Sequence, residues 1–192
     1  ALVPENARND QARPDILVAL DKLQAEAPNC DFVWLVTAWF GDDLRCGECL
    51  IKPGVETAHK NTTPVSWSVA GQGRGGAHLV SQRDGAAIYG GTPSDLSVIQ
   101  AIQELKRRGF KVGLYPFILM DVPPDNSKPD PYGGAAQAAF PWRGRVTCHP
   151  AAGLPGSPDN SAAAATQTDG FFGGALAAHF GIAPGSVSYS GP

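Results

Sequence analysis

The 192-residue sequence lacks a strong excess of charge of either sign, and it lacks any long apolar run. Its formal net charge is only −3, with 15 Lys and Arg against 18 Asp and Glu, so nothing in the charge balance favours nucleic acid binding. No apolar stretch approaches the roughly 20 residues that a membrane-spanning helix needs. The N-terminus shows no basic stretch followed by an apolar one, which is the pattern of a secretory signal peptide. We therefore expect no nucleic acid partner and no membrane span.

Several catalytic and cofactor motifs are also missing. The chain contains no HExxH pair for zinc and no GxSxG turn for a nucleophilic serine. The glycine-rich stretch at 71–76 lacks the Lys-Ser/Thr of a phosphate-binding loop, and no good helix follows it. These absences argue against a nucleotide site, and we predict no cofactor.

Glycine and proline, in contrast, are abundant: the chain has 23 Gly and 17 Pro. They are concentrated between the predicted helices and strands, so the connections are long, and residues 122–160 are predicted to form one long inserted loop. A hydrophobic fraction of 43% with 17% charged residues is typical of a chain that packs a core, and we treat residues 1–192 as one domain. Long ordered connections on a rigid scaffold often carry binding sites.

Two helix–strand units dominate the pattern. Residues 14–27 have an apolar side at helical spacing and precede an apolar strand at 32–40. A second helix, predicted to be capped by Thr92 and stopped by Gly109, precedes an apolar strand at 112–120. A strand that is apolar on both faces is typical of a parallel sheet covered on both sides. The repeated unit predicts an α/β fold, either a barrel or a doubly wound sheet.

Acidic residues follow both strands. Asp42 and Asp43 come directly after the first strand, and Asp121 comes directly after the second. An α/β barrel places its active face at these strand ends, and glycoside hydrolysis needs two carboxyl groups about 5–10 Å apart. We therefore predict Asp121 and Asp42 as catalytic candidates. The candidates for glycan binding are Trp39, Asp43, Tyr89, Trp142 and Arg143. The alternative is that the acidic residues cap the next element and the aromatic residues only pack.

Cys46-Gly-Glu-Cys49 has the CxxC spacing of zinc and thiol redox sites. Zinc needs four ligands, and the candidates to complete the set, if the fold gathers them, are Cys148, His149, His59 and Cys30. A disulfide involving this pair, or plain unbonded thiols, are the alternatives left open by the spacing.

Three long stretches, at 32–56, 89–123 and 129–167, together resemble the TIM-barrel-like domain of gene transfer agent and phage tail proteins. Those proteins are large baseplate or tail-tip proteins, often described as host-specificity or glycoside-hydrolase-like. The similarity covers about residues 30–180. Gene transfer agents are phage-like particles of alphaproteobacteria that carry host DNA to recipient cells.

The resemblance implies a TIM-barrel-like α/β fold of which this chain holds the first part, because a complete barrel takes about 250 residues. It further implies a structural and recognition role in a tail tip or baseplate, with other tail proteins and a cell-surface glycan as partners. The implied location is the phage-like particle, assembled in the bacterial cytoplasm. Two alternatives stay open: a glycoside hydrolase acting on peptidoglycan or capsular polysaccharide, and a metal-stabilised interaction module centred on Cys46 and Cys49.

Overall fold

The structure is a computed structural model that describes residues 4–143, 145–183 and 186–191, without the side chains of Trp142 and Arg143. The chain divides into two compact units. Unit 1 contains the residues up to Thr37 together with Asn61–Gly73 and Pro93–Phe117. Unit 2 contains Ala38–Lys60, Arg74–Thr92 and the residues from Ile118 on.

Three α-helices and twelve strands follow one another along the described part of the chain. They are α1 (Asp15–Glu26), β1 (Phe32–Gly41), β2 (Ile51–Lys52), β3 (Gly54–Val55), β4 (Ser68–Val69), β5 (Gln72–Gly73), β6 (His78–Leu79), β7 (Gln82–Arg83), β8 (Ala86–Ala87), α2 (Asp95–Arg107), β9 (Lys111–Met120), β10 (Trp142–Arg143), α3 (Ala162–Phe172), β11 (Phe180–Ala183) and β12 (Ser186–Tyr189). The two predicted helix–strand units are therefore present as α1–β1 and α2–β9.

The ends of α2 have local causes, one of which differs from the prediction. The predicted stop is confirmed, because Gly109 has a φ of +90°, a conformation that glycine adopts without strain. The cap is Ser94, whose hydroxyl accepts a hydrogen bond from the backbone N–H of Ser97, so the prediction that Thr92 caps the helix is wrong. Thr92 is buried, and its hydroxyl accepts a hydrogen bond from the N–H of Gly54.

The longest strands, β1 and β9, are neighbours in a four-stranded sheet of order β10-β9-β1-β2. At one end of the pair, the N–H of Lys111 donates to the carbonyl of Asp31 (2.7 Å). At the other end, the N–H of Asp121 donates to the carbonyl of Gly41 (2.8 Å). Because both starts lie together and both ends lie together, the two strands are parallel. The outer strands β2 and β10 are antiparallel to their neighbours.

The prediction of a TIM-barrel-like architecture, complete or partial, is wrong. A barrel needs a continuous series of parallel strands, each followed by a helix. Here the parallel pair is bordered on both sides by two-residue antiparallel strands, and the remaining described strands form separate two-stranded sheets. No closed barrel exists within the described residues, which form a domain rich in short strands. Glycine is frequent between residues 42 and 91, where each strand is only two residues long, and glycine weakens the interior of a strand.

Each unit has its own small core. In unit 1, Leu20 of α1 and Leu105 of α2 pack with Phe110, and Val33 and Leu35 of β1 lie against them. Both helices therefore contribute to a cluster with the same side of β1, where each fully buried large apolar side chain contributes about 1.5–3 kcal/mol. In unit 2 the buried cluster consists of Leu44, Cys49 and Met120.

Within the part of the chain that the structure describes, none of the helices has the length and apolar character needed to cross a membrane.

Candidate functional site

Asp121 lies in unit 2, directly after β9, and its side chain is removed from solvent. Only 1% of the residue is exposed. Its Oδ2 atom lies 2.6 Å from Nε2 of His78 and accepts a hydrogen bond from the N–H of Ser81 (2.8 Å). Its Oδ1 atom is buried and has no hydrogen-bond partner among the described residues. The carboxylate therefore joins the end of β9 to the segment around β6.

The electrostatics of this pair make Asp121 a hydrogen-bond acceptor. Burial by itself raises the pKa of Asp121, but the hydrogen bonds from His78 and Ser81 outweigh burial and leave the pKa below its ordinary value. Asp121 is therefore ionised at neutral pH. His78, whose ring stacks on Phe40 at a centroid distance of 5.9 Å, keeps part of its side chain open to solvent. The imidazole, and not the carboxylate, is the part of the pair that is open to solvent.

Asp43 is the centre of a second buried network in unit 2. Arg45 donates to both carboxylate oxygens, at 3.0 and 2.8 Å, and Gln137 donates to Oδ1 at 2.7 Å. Burial raises the pKa of Asp43, but these hydrogen bonds lower it to about 2. Gln137 also accepts the N–H of Leu44, so the network ties the long 122–160 segment to the chain just after β1. This role for Asp43 is structural.

The two predicted catalytic carboxylates thus have unequal surroundings. Asp42 is half-buried, and its Oδ1 atom accepts the N–H of Leu50 (2.9 Å). Asp121 has a lowered pKa and no exposed carboxylate. A glycosidase general acid needs a raised pKa and contact with the sugar, and neither condition holds at Asp121. Both carboxylates accept hydrogen bonds from within the fold, and their catalytic role stays a prediction.

Two of the predicted glycan-binding aromatic residues, Trp39 and Tyr89, have side chains that the structure describes. Trp39 is half-buried in β1. Tyr89 is also half-buried, with its ring 6.0 Å from that of Phe40 and its hydroxyl donating to the carbonyl of Met120 (3.4 Å). The side chains of Trp142 and Arg143 lie outside the described part of the structure.

The cysteine-rich region is only partly assembled. Cys46 and Cys148 approach to 3.8 Å between their sulfur atoms, and all four cysteines are free thiols. In the described residues, no group of three or more His, Cys, Asp or Glu side chains is arranged to hold a metal ion. The fold therefore does not gather Cys46, Cys49, Cys148 and His149 into a zinc site.

A different surface stands out in unit 1, and we call it the aromatic face: Phe32 and Trp34 of β1 with Tyr115 and Phe117 of β9. Trp34 is 61% exposed, Tyr115 50% and Phe32 41%. The rings lie in two pairs, with centroids 5.1 Å apart for Phe32 and Trp34 and 6.0 Å apart for Tyr115 and Phe117. Large aromatic side chains exposed together are uncommon on a protein surface and mark interaction sites.

Strand geometry explains why these rings share one side of the sheet. Alternate residues of a strand point to opposite faces, so Phe32 and Trp34 lie opposite to Val33 and Leu35, which pack on the helices. On β9, a Cβ atom at Gly113 would lie 2.5 Å from the Trp34 ring, so Gly113 lies on the Trp34 side. Tyr115 and Phe117, two and four residues further on, follow on that side.

The prediction that both strands are covered on both faces is therefore wrong in unit 1. The helices cover one face only, and the aromatic face is open. One signal in the sequence indicates this face: aromatic residues occupy alternate positions in each strand, and aliphatic residues fill the positions between them in β1.

Comparison with known proteins adds no family. No protein-family model matches the chain, and no curated protein sequence matches it.

Proposed function

We propose that this chain is a structural and recognition component of a phage-like tail tip or baseplate, and that it binds cell-surface glycan through the aromatic face. The observation that carries the glycan part is the exposure of Phe32, Trp34 and Tyr115 on one side of a sheet. The tail-tip part rests on the similarity of three long stretches of sequence to gene transfer agent and phage tail proteins. Its site of action is then the assembled particle, next to other tail proteins.

The chemistry of the aromatic face suits a sugar better than a charged polymer. A pyranose ring presents C–H groups on its faces, which stack on aromatic rings, and hydroxyl groups at its edge. Trp34 and Tyr115 each add a polar N–H or O–H that can bond to such hydroxyls. The net charge of −3 favours no nucleic acid. A tail tip meets polysaccharide and peptidoglycan before DNA enters the recipient, so a sugar-binding surface has a purpose there.

Binding is tested by co-sedimentation of the purified chain with peptidoglycan sacculi and, separately, with capsular polysaccharide. We expect Trp34→Ala and Tyr115→Ala each to weaken binding about tenfold, since a lost stacking contact of about 1.4 kcal/mol corresponds to that factor. Phe172→Ala is the matched control, because Phe172 is an exposed aromatic residue of α3 (74% exposed) that does not belong to the aromatic face, and its loss should leave binding unchanged.

The same incubation separates recognition from hydrolysis. Recognition predicts bound chain without new reducing ends. Release of reducing ends that disappears in Asp121→Asn favours the glycoside hydrolase alternative instead. If the chain binds neither polymer, and Trp34→Ala converts an oligomer in solution to monomer, the aromatic face is a contact between protein chains and the glycan proposal is wrong.

A further inference from the structure

Two distant segments of unit 2 run side by side at the cysteines. Arg45 and Thr147 form a parallel bridge. The N–H of Cys46 donates to the carbonyl of Thr147 (2.9 Å), and the N–H of Thr147 donates to the carbonyl of Leu44 (2.9 Å). These bonds place Cys46 next to Cys148, although the two residues are 102 positions apart.

The backbone spacing suits a covalent link between them. Neighbouring strands lie about 4.8 Å apart, and the Cα atoms of a disulfide are usually about 4.4–6.8 Å apart. The sulfur atoms of Cys46 and Cys148 are in contact at 3.8 Å, and a disulfide needs them to approach to about 2.05 Å.

The other two cysteines are placed differently. Cys49, the second residue of the CxxC pair, is 6% exposed and packs in the core cluster with Leu44 and Met120. Cys30 lies in unit 1, where its thiol contacts the carbonyl of Phe32. The partner of Cys46 in space is therefore Cys148 and not its neighbour in the motif.

A hollow of about 410 Å³ is lined by residues that neighbour both cysteines in the sequence. Its lining includes Arg45 and Gly47, which flank Cys46, and His149, which follows Cys148. Cys148 itself is half-buried, whereas Cys46 is buried. A small thiol reagent therefore reaches Cys148 first.

We propose that Cys46 and Cys148 are a disulfide-forming pair that cross-links the 44–49 turn to the 145–151 segment when a small-molecule disulfide oxidises them. In the first step, the thiolate of Cys148 attacks the reagent, forms a mixed disulfide and expels one thiolate, which takes up a proton. In the second step, the thiolate of Cys46 attacks the Cys148 sulfur and expels the second reagent thiolate, which is protonated in turn. Two protein thiols become one disulfide, and one reagent disulfide becomes two thiols.

This inference is independent of the glycan proposal, since it rests on unit 2 alone. The link closes a loop of about 100 residues, which restricts the unfolded chain strongly. Disulfides persist outside the reducing cytoplasm, so a protein that leaves the cell on a particle would gain the cross-link there.

The test uses the full chain incubated with oxidised glutathione under native conditions. We expect the free thiols to fall from four to two. After trypsin digestion without reduction, the peptide 46–60 should be joined to the peptide that begins at Val146, with fragment spectra placing the bond on Cys46. The oxidised chain should melt roughly 5 °C or more above the reduced chain.

Variants make the assignment specific. Cys148→Ser should abolish both the cross-linked peptide and the rise in melting temperature, whereas Cys30→Ser should retain both. A bond between Cys46 and Cys49, or a bond on Cys49 in place of Cys46, overturns the proposal. So does a native chain that keeps four free thiols while the unfolded chain is oxidised by the same reagent.

Discussion

Trp34 in unit 1 and Phe40 in unit 2 belong to the same strand, and each lies against a glycine, yet their surroundings are opposite. A Cβ atom at Gly113 would lie 2.5 Å from the Trp34 ring, and one at Gly54 would clash with the Phe40 ring. Trp34 is 61% exposed, whereas Phe40 is 1% exposed and is surrounded by His78 and Tyr89. The close contact with glycine is therefore exposed to solvent at Trp34 and buried at Phe40. The exposed Trp34 ring is available to a ligand, whereas the buried Phe40 ring contributes to the stability of the core.

The largest expected effect comes from removing the two rings in turn. We expect Phe40→Ala to lower the free energy of unfolding by about 3–5 kcal/mol, because it leaves a cavity in a closed core. Trp34→Ala should cost less than about 1 kcal/mol, because the ring is mostly in water. Urea unfolding followed by circular dichroism measures both. An equal loss of unfolding free energy in the two variants would show that Trp34 is as buried as Phe40 and would contradict the difference between them.

Substituting alanine for the glycine beside each ring tests the same difference with a smaller change. Gly54→Ala should destabilise the protein by about 3 kcal/mol, since neither the Phe40 ring nor the surrounding backbone can yield. Gly113→Ala should change stability by less than about 1 kcal/mol, because the Trp34 ring can swing into solvent. The emission of Trp34 should respond to Gly113→Ala, and a Trp34→Phe background identifies its share of the signal. A large loss of stability in Gly113→Ala would contradict an open aromatic face.

Two aspartates extend the comparison to charge. Asp43 is buried with Arg45 in unit 2, whereas Asp31 pairs with Lys111 at the exposed start of the strands. Asp43→Asn should lower the free energy of unfolding by about 2 kcal/mol, because Arg45 loses a bidentate partner. Asp31→Asn should produce no measurable change, since exposed ion pairs contribute little. Thermal unfolding at neutral pH distinguishes the two variants.

The stabilisation by Asp43 should depend on pH, and the direction of its pKa shift gives the direction of that dependence. The pKa of Asp43 is about 2 in the folded protein, below the ordinary value of 3.8. Its contribution of about 2 kcal/mol is therefore present above pH 4 and is lost as the pH falls from 4 to 2. Asp43→Asn should flatten this part of the stability profile. A variant that keeps the full acid-induced loss would assign that loss to other carboxyl groups.

The smallest expected effect concerns two serine caps. Ser94 caps α2, which is anchored by the buried Leu105, and Ser161 caps α3, which has no buried residue. Ser94→Ala should lower the global free energy of unfolding by about 1 kcal/mol. Ser161→Ala should instead increase hydrogen exchange at the start of α3 with little global change, because no residue of this helix is buried and its first turn opens locally. Equal global losses would show that α3 unfolds together with the rest of the chain.

The sequence predicts those features that depend on interactions between residues a few positions apart, and it fails for those that depend on distant residues. The segments α1, α2, β1 and β9 were predictable because caps, breakers and apolar spacing act over a few residues. The fold class was not, since the strands that border the parallel pair are two residues long and carry no pattern of their own. The aromatic face was missed because the residues of a strand do not determine whether another element packs on that strand.

The sequence by itself determined where the helices and long strands lie and that acidic residues follow both strands, because these features depend on near neighbours. Only the tertiary structure decided that Asp121 meets His78, 43 positions away, and that Cys46 meets Cys148 and not Cys49. It also decided that helices cover one face of β1 and leave Trp34 open. Such contacts depend on where the chain returns in space, which the short strands and glycine-rich connections do not encode locally.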